Sequence, residues 1–375
     1  MWLAVGIGEA CGAEGESDAR PIVPASGIVA RTPAGVRIER GADGGDAPPR
    51  VAIDDDGYFL IDGVREIPFG AEEEHRVYDR DDLDRLIPRL HEMGVRFLVV
   101  YQGNRQEDYF YEELAAEGIF VAQHLGTLKK ETYSPFPSTG GVIGTLPDEP
   151  WLQDTLDRID ETVGRLARFD NILFWWLGGE LVEPEFHSPE GVAQIRDAVQ
   201  RCGDRVRALD PRARPFTVSH HFIEVAQERI AQFIDLTDLT DFSWFTVATH
   251  FHLGDFGMRG SALEWLPVAR ETELPLVLDA ILARASELNH GRPMFLGGWY
   301  ANAPLLGPCT AGAQAELLRD KWANLQSASI LGSSVYHATE WDDNGIPHAL
   351  IETRGDSWTL TEAGAALREI ARPSP

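Results

Sequence analysis

The sequence predicts a single (β/α)8 barrel, a TIM barrel, with an N-terminal arm and a β-hairpin at the barrel's N-terminal end. Three observations carry that prediction. From Glu66 onward, short apolar runs alternate with helix-length amphipathic stretches, the pattern of βα units around a parallel sheet. The runs number eight, enough to close a barrel, where an open doubly wound sheet usually has fewer. No glycine-rich phosphate loop follows any of them: neither GxGxxG nor a Walker-type GxxxxGK is found between a strand and a helix. Nucleotide-dependent chemistry therefore has no support, and no cofactor is expected.

Taken in order, residues 1–50 form the arm or linker. Glu14–Arg50 is rich in Gly, Ala, Pro and Asp and shows little periodicity beyond a short strand at Gly35–Glu39. The barrel domain spans 51–375. It opens on Val51–Asp62 (VAIDDDGYFLID), where an Asp-Asp-Gly turn between two apolar runs predicts a hairpin lying over the barrel's N-terminal end. The eight runs are Ile67–Gly70, Arg96–Tyr101, Phe120–His124, Ile172–Leu177, Pro215–Ser219, Phe242–Ala248, Pro293–Gly297 and Ser334–Ala338. Between them, Asp81–Met93 places Leu83, Leu86, Ile87 and Leu90 at helical spacing and stops at Gly94. Trp151–Phe169 repeats Leu156, Ile159, Val163 and Leu166, and Pro189–Leu209 and Ala313–Ser329 behave likewise.

Composition narrows the function. A chain of 375 residues with 43% hydrophobic and 25% charged residues is an ordinary globular sequence able to bury a large core. Its formal charge of −27 argues against nucleic-acid binding, which needs clustered Lys and Arg, and against anionic lipid surfaces. The basic residues are almost all Arg, which fits a GC-rich genome; an acidic excess with little Lys also fits a salty habitat. Cys11, Cys202 and Cys309 match no zinc spacing, and an odd number cannot pair fully within the chain. No apolar run approaches the roughly 20 residues of a membrane span. Met1–Gly12 is apolar but has no basic start, so it is either the remnant of a secretion or lipoprotein signal or simply a chain end. The signal reading tilts localisation toward secreted or periplasmic. Nothing in the sequence sets an oligomeric state.

In a parallel barrel the chemistry collects at the C-terminal ends of the strands. Those positions hold Glu72, Glu73, Glu74 and His75 after the first run, then Tyr101, Gln102 and Asn104, His124, and Glu180. His220 and His221, Thr249, His250 and His252 follow, then Gly298, Trp299 and Tyr300, and last Glu340, Trp341, Asp342 and Asp343. Carboxylates, imidazoles, amides and aromatic rings together suit a carbohydrate, whose C–H faces stack on rings while its hydroxyls take polar groups. Phosphates would call for Arg, Lys or a glycine nest. Trp176 and Trp244 are further candidates for the site. Side chains alternate along a strand, so only one of Trp175 and Trp176 faces the barrel interior.

Four segments resemble clan-A glycoside hydrolases. FLIDGVREIPFGAEEEHR is similar to the turn that leads into their first strand, and DNILFWWLGGE to the fourth-strand motif ending in a proton-donor Glu. GRPMFLGGWYAN looks like their seventh strand, and Tyr336–Asp343 with GIPHALIETRGDSWTLTEAGAALREI like the eighth strand and last helix. The match runs from about Gly57 to Ile370 and implies a glycosidase with Glu180 as general acid/base. Three positions depart from the family pattern. Gly179 stands where Asn usually precedes the acid/base, Val99 lies nearest the usual strand-2 Arg, and Gly298 aligns with the strand-7 nucleophile Glu.

Gly298 admits three explanations: a substitution that removes the nucleophile, a lineage that uses another carboxylate, or a barrel that binds sugar without cleaving it. Glu340, ending the eighth run beside Trp341, is the natural substitute, and Glu72–Glu74 the next source; each is otherwise a solvated acidic loop. A retaining pair of carboxyls lies about 5–5.5 Å apart and an inverting pair about 6.5–9.5 Å apart. The expected sugar contacts are Glu73, His75, Tyr101, Gln102, His124, Trp176, His221, Trp244, His250, His252, Gly298, Trp299, Trp341 and Asp342. A metal-dependent hydrolase or lyase using His220, His221, His250 and His252 is a third reading; as sugar-binding histidines the same residues need no metal.

Overall fold

A computed structural model of the chain describes residues 50–73, 76–101, 106–128, 130–133, 142–179, 181, 184–221, 233–248, 282–300, 312, 315–316, 318–319, 329–339, 349–354 and 357–371. All belong to the larger of the chain's two units, Asp46–Pro375. The expected arm, with Cys11 and the strand at Gly35–Glu39, lies outside the described residues, as does Cys309.

The domain opens on β1 (Val51–Ile53), β2 (Phe59–Ile61) and β3 (Val64–Glu66), paired antiparallel in that order. The expected hairpin is thus a three-stranded meander. Asp54 organises the first turn by accepting from the N–H groups of Asp56 and Tyr58, each at 2.9 Å. The second turn needs two left-handed residues, Asp62 at φ 50° and Gly63 at φ 79°. Val51, Phe59 and Ile61 pack into the interior cluster with Phe97, Phe120, Phe174, Phe242 and Phe295. Phe59 and Phe174 stack at 5.9 Å, and Phe174 meets Phe295 edge-on at 5.3 Å. Filled this way, the barrel is a packed core and not a pore, which leaves only its other end for chemistry.

The closed barrel is built from eight parallel strands: β4 (Phe69–Glu73), β5 (Phe97–Val100), β6 (Phe120–Thr127), β9 (Ile172–Gly178), β10 (Phe216–His221), β11 (Ser243–Ala248), β12 (Met294–Tyr300) and β13 (Ile330–Tyr336). Each expected run supplies one. A separate antiparallel hairpin, β7 (Lys130–Tyr133) with β8 (Val142–Thr145), follows β6, and another, β14 (Ile351–Arg354) with β15 (Ser357–Leu360), follows β13.

The strand limits shift from expectation by up to four residues, and the first and last barrel strands differ in ways that bear on the site. The first barrel strand starts at Phe69 and runs through Glu73, while Ile67 is exposed; Glu72 and Glu73 are therefore buried strand residues and not a solvated loop. The last barrel strand starts at Ile330, because Gly332, Ser333 and Ser334 interrupt the apolar pattern without interrupting the strand. Gly332 is small for a packing reason: a Cβ there would stand 2.9 Å from the Phe295 ring.

The outer layer includes α1 (Arg80–Met93), α2 (Asp108–Ala116), α3 (Glu149–Leu166), α4 (Pro189–Leu209) and α5 (Glu362–Ala371). Asp79, Asp148 and Ser188 cap α1, α3 and α4 by accepting from the N–H groups of Asp82, Trp151 and Gly191. Gly94 ends α1 at φ 72°. Of the helix expected at Ala313–Ser329, the described residues 315–316 and 318–319 are helical. Cys202 is buried in α4, where burial pushes its thiol up to about 12, an inert structural position. Among the described residues, no helix is long and apolar enough to cross a membrane.

Candidate active site at the carboxyl ends of the strands

Alternation along β4 separates its two carboxylates. Phe69 and Ala71 belong to the outer core beneath the helices. Gly70 faces the interior, where a Cβ would stand 2.4 Å from the Phe97 ring. Glu72, on the same face as Gly70, is fully buried beneath the barrel mouth. It accepts from Tyr101 Oη at 2.7 Å on one oxygen and from Ser334 Oγ at 2.5 Å on the other. Strands 1, 2 and 8 of the barrel are thereby tied together at one carboxylate.

Glu73 points the other way. Tyr78 Oη and Thr339 Oγ1 donate to its Oε2 at 2.5 and 2.8 Å, and the Arg76 N–H donates to Oε1 at 3.2 Å. Burial raises the Glu73 carboxyl above its ordinary pKa, with those three donors offsetting part of the effect. Burial and the adjacent Glu73 push the Tyr78 phenol well above its own. Sequence reasoning placed Glu73 among sugar contacts; its described contacts instead fasten the end of β4 to Thr339, the residue before Glu340.

Above Glu72 an aromatic floor crosses the mouth. Tyr101 meets Trp176 edge-on at 5.0 Å and His124 at 5.5 Å; His124 and Trp176 are 4.3 Å apart, and Trp176 and Trp244 4.5 Å apart. His124 Nδ1 lies 2.9 Å from the Tyr101 carbonyl oxygen, which fixes the imidazole relative to the phenol. Four expected contacts from strands 2, 3, 4 and 6 thus form one cluster, in which the two tryptophans are buried. The buried indole N–H groups of Trp176 and Trp244 have no acceptor among the described residues. Trp175, as alternation requires, faces outward and donates to Asp210 at 2.8 Å.

Glycines make room for this floor. A Cβ at Gly178 would stand 3.2 Å from His124 Nε2, and one at Gly297 only 2.2 Å from Trp244 Nε1. Gly179 donates its N–H to Ser219 Oγ at 3.0 Å, and a Cβ there would stand 1.9 Å from the Ser219 carbonyl oxygen. The residue before Glu180 must therefore be glycine in this barrel, which accounts for the missing Asn.

Glu180, Glu340, His75, Gln102, His250, His252, Trp341 and Asp342 lie outside the described residues. His221, Gly298 and Trp299 lie at the ends of β10 and β12. His220 turns outward, 4.6 Å from the Phe233 ring and 5.6 Å from that of Phe245, so it is a packing residue. Among the described residues no group of three His, Cys, Asp or Glu side chains could hold a metal ion. Sequence reasoning missed the Glu72–Tyr101–Ser334 link. The signal was available in the alternation of Gly70 and Glu72 against Phe69, Ala71 and Glu73.

No family profile matches the chain. It is 25% identical over 165 residues to a 1,3-beta-glucanosyltransferase of Schizosaccharomyces pombe, a stretch covering 44% of this chain and 28% of that protein. The match thus spans under a third of the relative's length. The fold is shared with a β-glucuronidase from Ruminococcus gnavus, at TM-score 0.60 and 11% identity over 86% of this chain and 52% of that one. A Parabacteroides merdae β-glucuronidase superposes at TM-score 0.57 and 13% identity, covering 87% of this chain and 39% of that one. ScGas2 gives 0.54 and 15%, covering 86% and 67%. The fold is the (β/α)8 barrel of these glycoside-acting proteins.

Proposed function

We propose that this chain acts on a glycosidic bond, with Glu180 as general acid/base at the end of β9. The observation that carries the reading is the aromatic floor, in which Tyr101, His124 and Trp176 stand toward the carboxyl ends of three barrel strands and pack against the buried Trp244. Its partly buried members, Tyr101 and His124, are the rings a pyranose can meet, with its hydroxyls left to the strand-end polar groups. Glu180 follows Trp176 by four residues, beyond Gly178, where a Cβ would be tight against His124, and Gly179, where it would clash with the Ser219 carbonyl oxygen. The names of the similar proteins point to β-1,3-glucans and β-glucuronides as the substrates to try first, with water or a second sugar as acceptor.

Aryl β-glycosides, aryl β-glucuronides and β-1,3-gluco-oligosaccharides test this, with product analysis for both hydrolysis and transfer. Glu180→Gln should lower kcat/KM by about 10²–10⁴-fold on substrates with poor leaving groups. Unchanged turnover in that variant would remove Glu180 from the reaction. Gly298 favours a second reading, a barrel that binds sugar without cleaving it. Saturable binding of the same oligosaccharides with no turnover in the unaltered protein would select it.

A further inference from the structure

We propose that Tyr101, backed by Glu72, is the nucleophile of this barrel, serving where Gly298 provides no carboxylate. The proposal rests on the glycoside-cleaving reading above and names the group that reading leaves open. Glu72 is fully buried, so it cannot touch a sugar itself. Its Oε1 accepts from Ser334 Oγ and its Oε2 from Tyr101 Oη. Tyr101, at the end of β5, is the partly buried member of that link, Glu72 and Ser334 being fully buried, so it is the member a ligand can reach. A phenol with an ordinary pKa near 10 is a weak nucleophile at neutral pH. A carboxylate within hydrogen-bond reach is what activates such a group, and tyrosine nucleophiles are an established solution among glycosidases.

The surroundings hold the phenol in place. The Tyr101 ring lies edge-on to Trp176 at 5.0 Å, and Trp176 stands on the strand that leads to Glu180. His124 bonds the Tyr101 carbonyl and packs on the ring. Three strands thus fix the ring, and the short bond from Ser334 fixes the carboxylate behind it.

In the first step Tyr101 Oη bonds to the anomeric carbon as the bond to the leaving oxygen breaks. The phenolic proton passes to Glu72 Oε2, and Glu180 protonates the leaving oxygen. In the second step water attacks the same carbon and gives its proton to Glu180. The bond to Tyr101 Oη breaks, and Glu72 returns its proton to the phenol. Two displacements retain the anomeric configuration, and a sugar hydroxyl in place of water gives transfer.

The test uses the full chain with 2-deoxy-2-fluoro-β-glucosyl and β-glucuronosyl fluorides, followed by intact mass and peptide mapping. The fluorine at C2 slows both steps while the fluoride leaving group restores the first, so a covalent intermediate accumulates. An adduct on the peptide at Tyr101 is expected. Tyr101→Phe should abolish the adduct and lower kcat/KM about 10³-fold, and Glu72→Gln should lower it about 10²-fold. An adduct on Glu340 or any other residue overturns the tyrosine assignment while keeping the glycosidase reading. So does turnover of the aryl glycosides without an adduct and with Tyr101→Phe within threefold of the unaltered protein. Neither turnover nor adduct with any glycoside overturns both. Mapping the unaltered protein keeps the answer independent of whether the Glu72 variant folds.

Discussion

Trp244 occupies the space that any side chain on Gly297 would need: its indole nitrogen lies 2.2 Å from where a Cβ would stand. The ring carbons are equally close, at 2.5 and 2.6 Å, so the whole indole lies over the glycine. Trp244 in turn contacts Trp176 at 4.5 Å and Phe295 at 4.8 Å, so it cannot retreat without disturbing the floor of the mouth. Gly297→Ala is therefore an overpacking substitution, expected to destabilise by about 1–3 kcal/mol. Thermal unfolding measures the loss, and a change in tryptophan emission reports the displaced indole. Unchanged stability and emission would show that Trp244 does not lie over Gly297.

Gly179 poses a stricter case, because the atom in the way is backbone. A Cβ there would meet the Ser219 carbonyl oxygen at 1.9 Å, and β10 cannot yield as a flexible side chain would. Gly179→Asn would place before Glu180 the residue usual there in the glycoside hydrolases that the sequence resembles, yet it should lower stability by at least the upper end of about 1–3 kcal/mol and add no activity. Ser219→Ala, which removes only the acceptor of the Gly179 N–H, should cost about 1 kcal/mol. Comparing the two by denaturant unfolding separates steric demand from the hydrogen bond; equal losses would argue against the clash.

What the sequence made legible follows from where the determining partners lie. The limits of α4 could be read directly from Ser188-Pro189 at one end and Asp210-Pro211 at the other, since capping and proline restriction act within a few residues. The run of β9 was legible because all seven residues are buried and apolar or glycine. Glu72 was not. Three consecutive glutamates imitate a solvated loop, and the hydroxyls that make its burial tolerable come from Tyr101, 29 residues away, and Ser334, 262 away. The helix α2 also escaped notice, because its aromatic cluster Tyr109, Phe110 and Tyr111 does not read as a helical stripe. Small residues in β13 hid the strand start for the opposite reason, since Gly332 is fitted to Phe295, its partner on the adjacent strand β12.

The buried pair of Asp210 and Arg214 holds the outer side of β9. The Arg214 guanidinium donates twice to Asp210, at 2.8 and 2.9 Å, and also to the carbonyls of Phe169 and Ala167; the backbone N–H groups of Arg212 and Arg214 and the Trp175 indole donate to the same carboxylate. Removing the carboxylate leaves a buried guanidinium without its counter-charge, so Asp210→Ala should cost about 3–5 kcal/mol. Arg214→Met with Asp210→Leu, which removes both charges, should cost much less. Chemical denaturation of the single and double variants measures this. A double variant no more stable than Asp210→Ala would count against uncompensated charge as the cause.

Asp210 and Glu73 are both buried carboxylates, yet they should shape the pH dependence of stability in opposite directions. Burial by itself raises Asp210, but the hydrogen bonds and charge of Arg214, with the Trp175 N–H, outweigh it and hold the folded pKa below the ordinary value. Its contribution is therefore fully present above the unfolded pKa and is lost as pH falls through the folded one. Glu73 lacks an equivalent fork of guanidinium donors. Burial dominates there, the folded pKa stands above the unfolded one, and the folded state binds more protons between the two. Stability should therefore decline as pH rises from the ordinary glutamate range through the raised value. Glu73→Gln keeps an acceptor for Tyr78 and Thr339 while removing the titration, so it should flatten that decline and leave the acid limb intact. Asp210→Asn should flatten the acid limb and leave the decline in place. Melting temperatures of both variants and the unaltered protein between about pH 3 and pH 8 test the assignment. A Glu73→Gln profile parallel to that of the unaltered protein throughout would show that the Glu73 carboxyl is not raised.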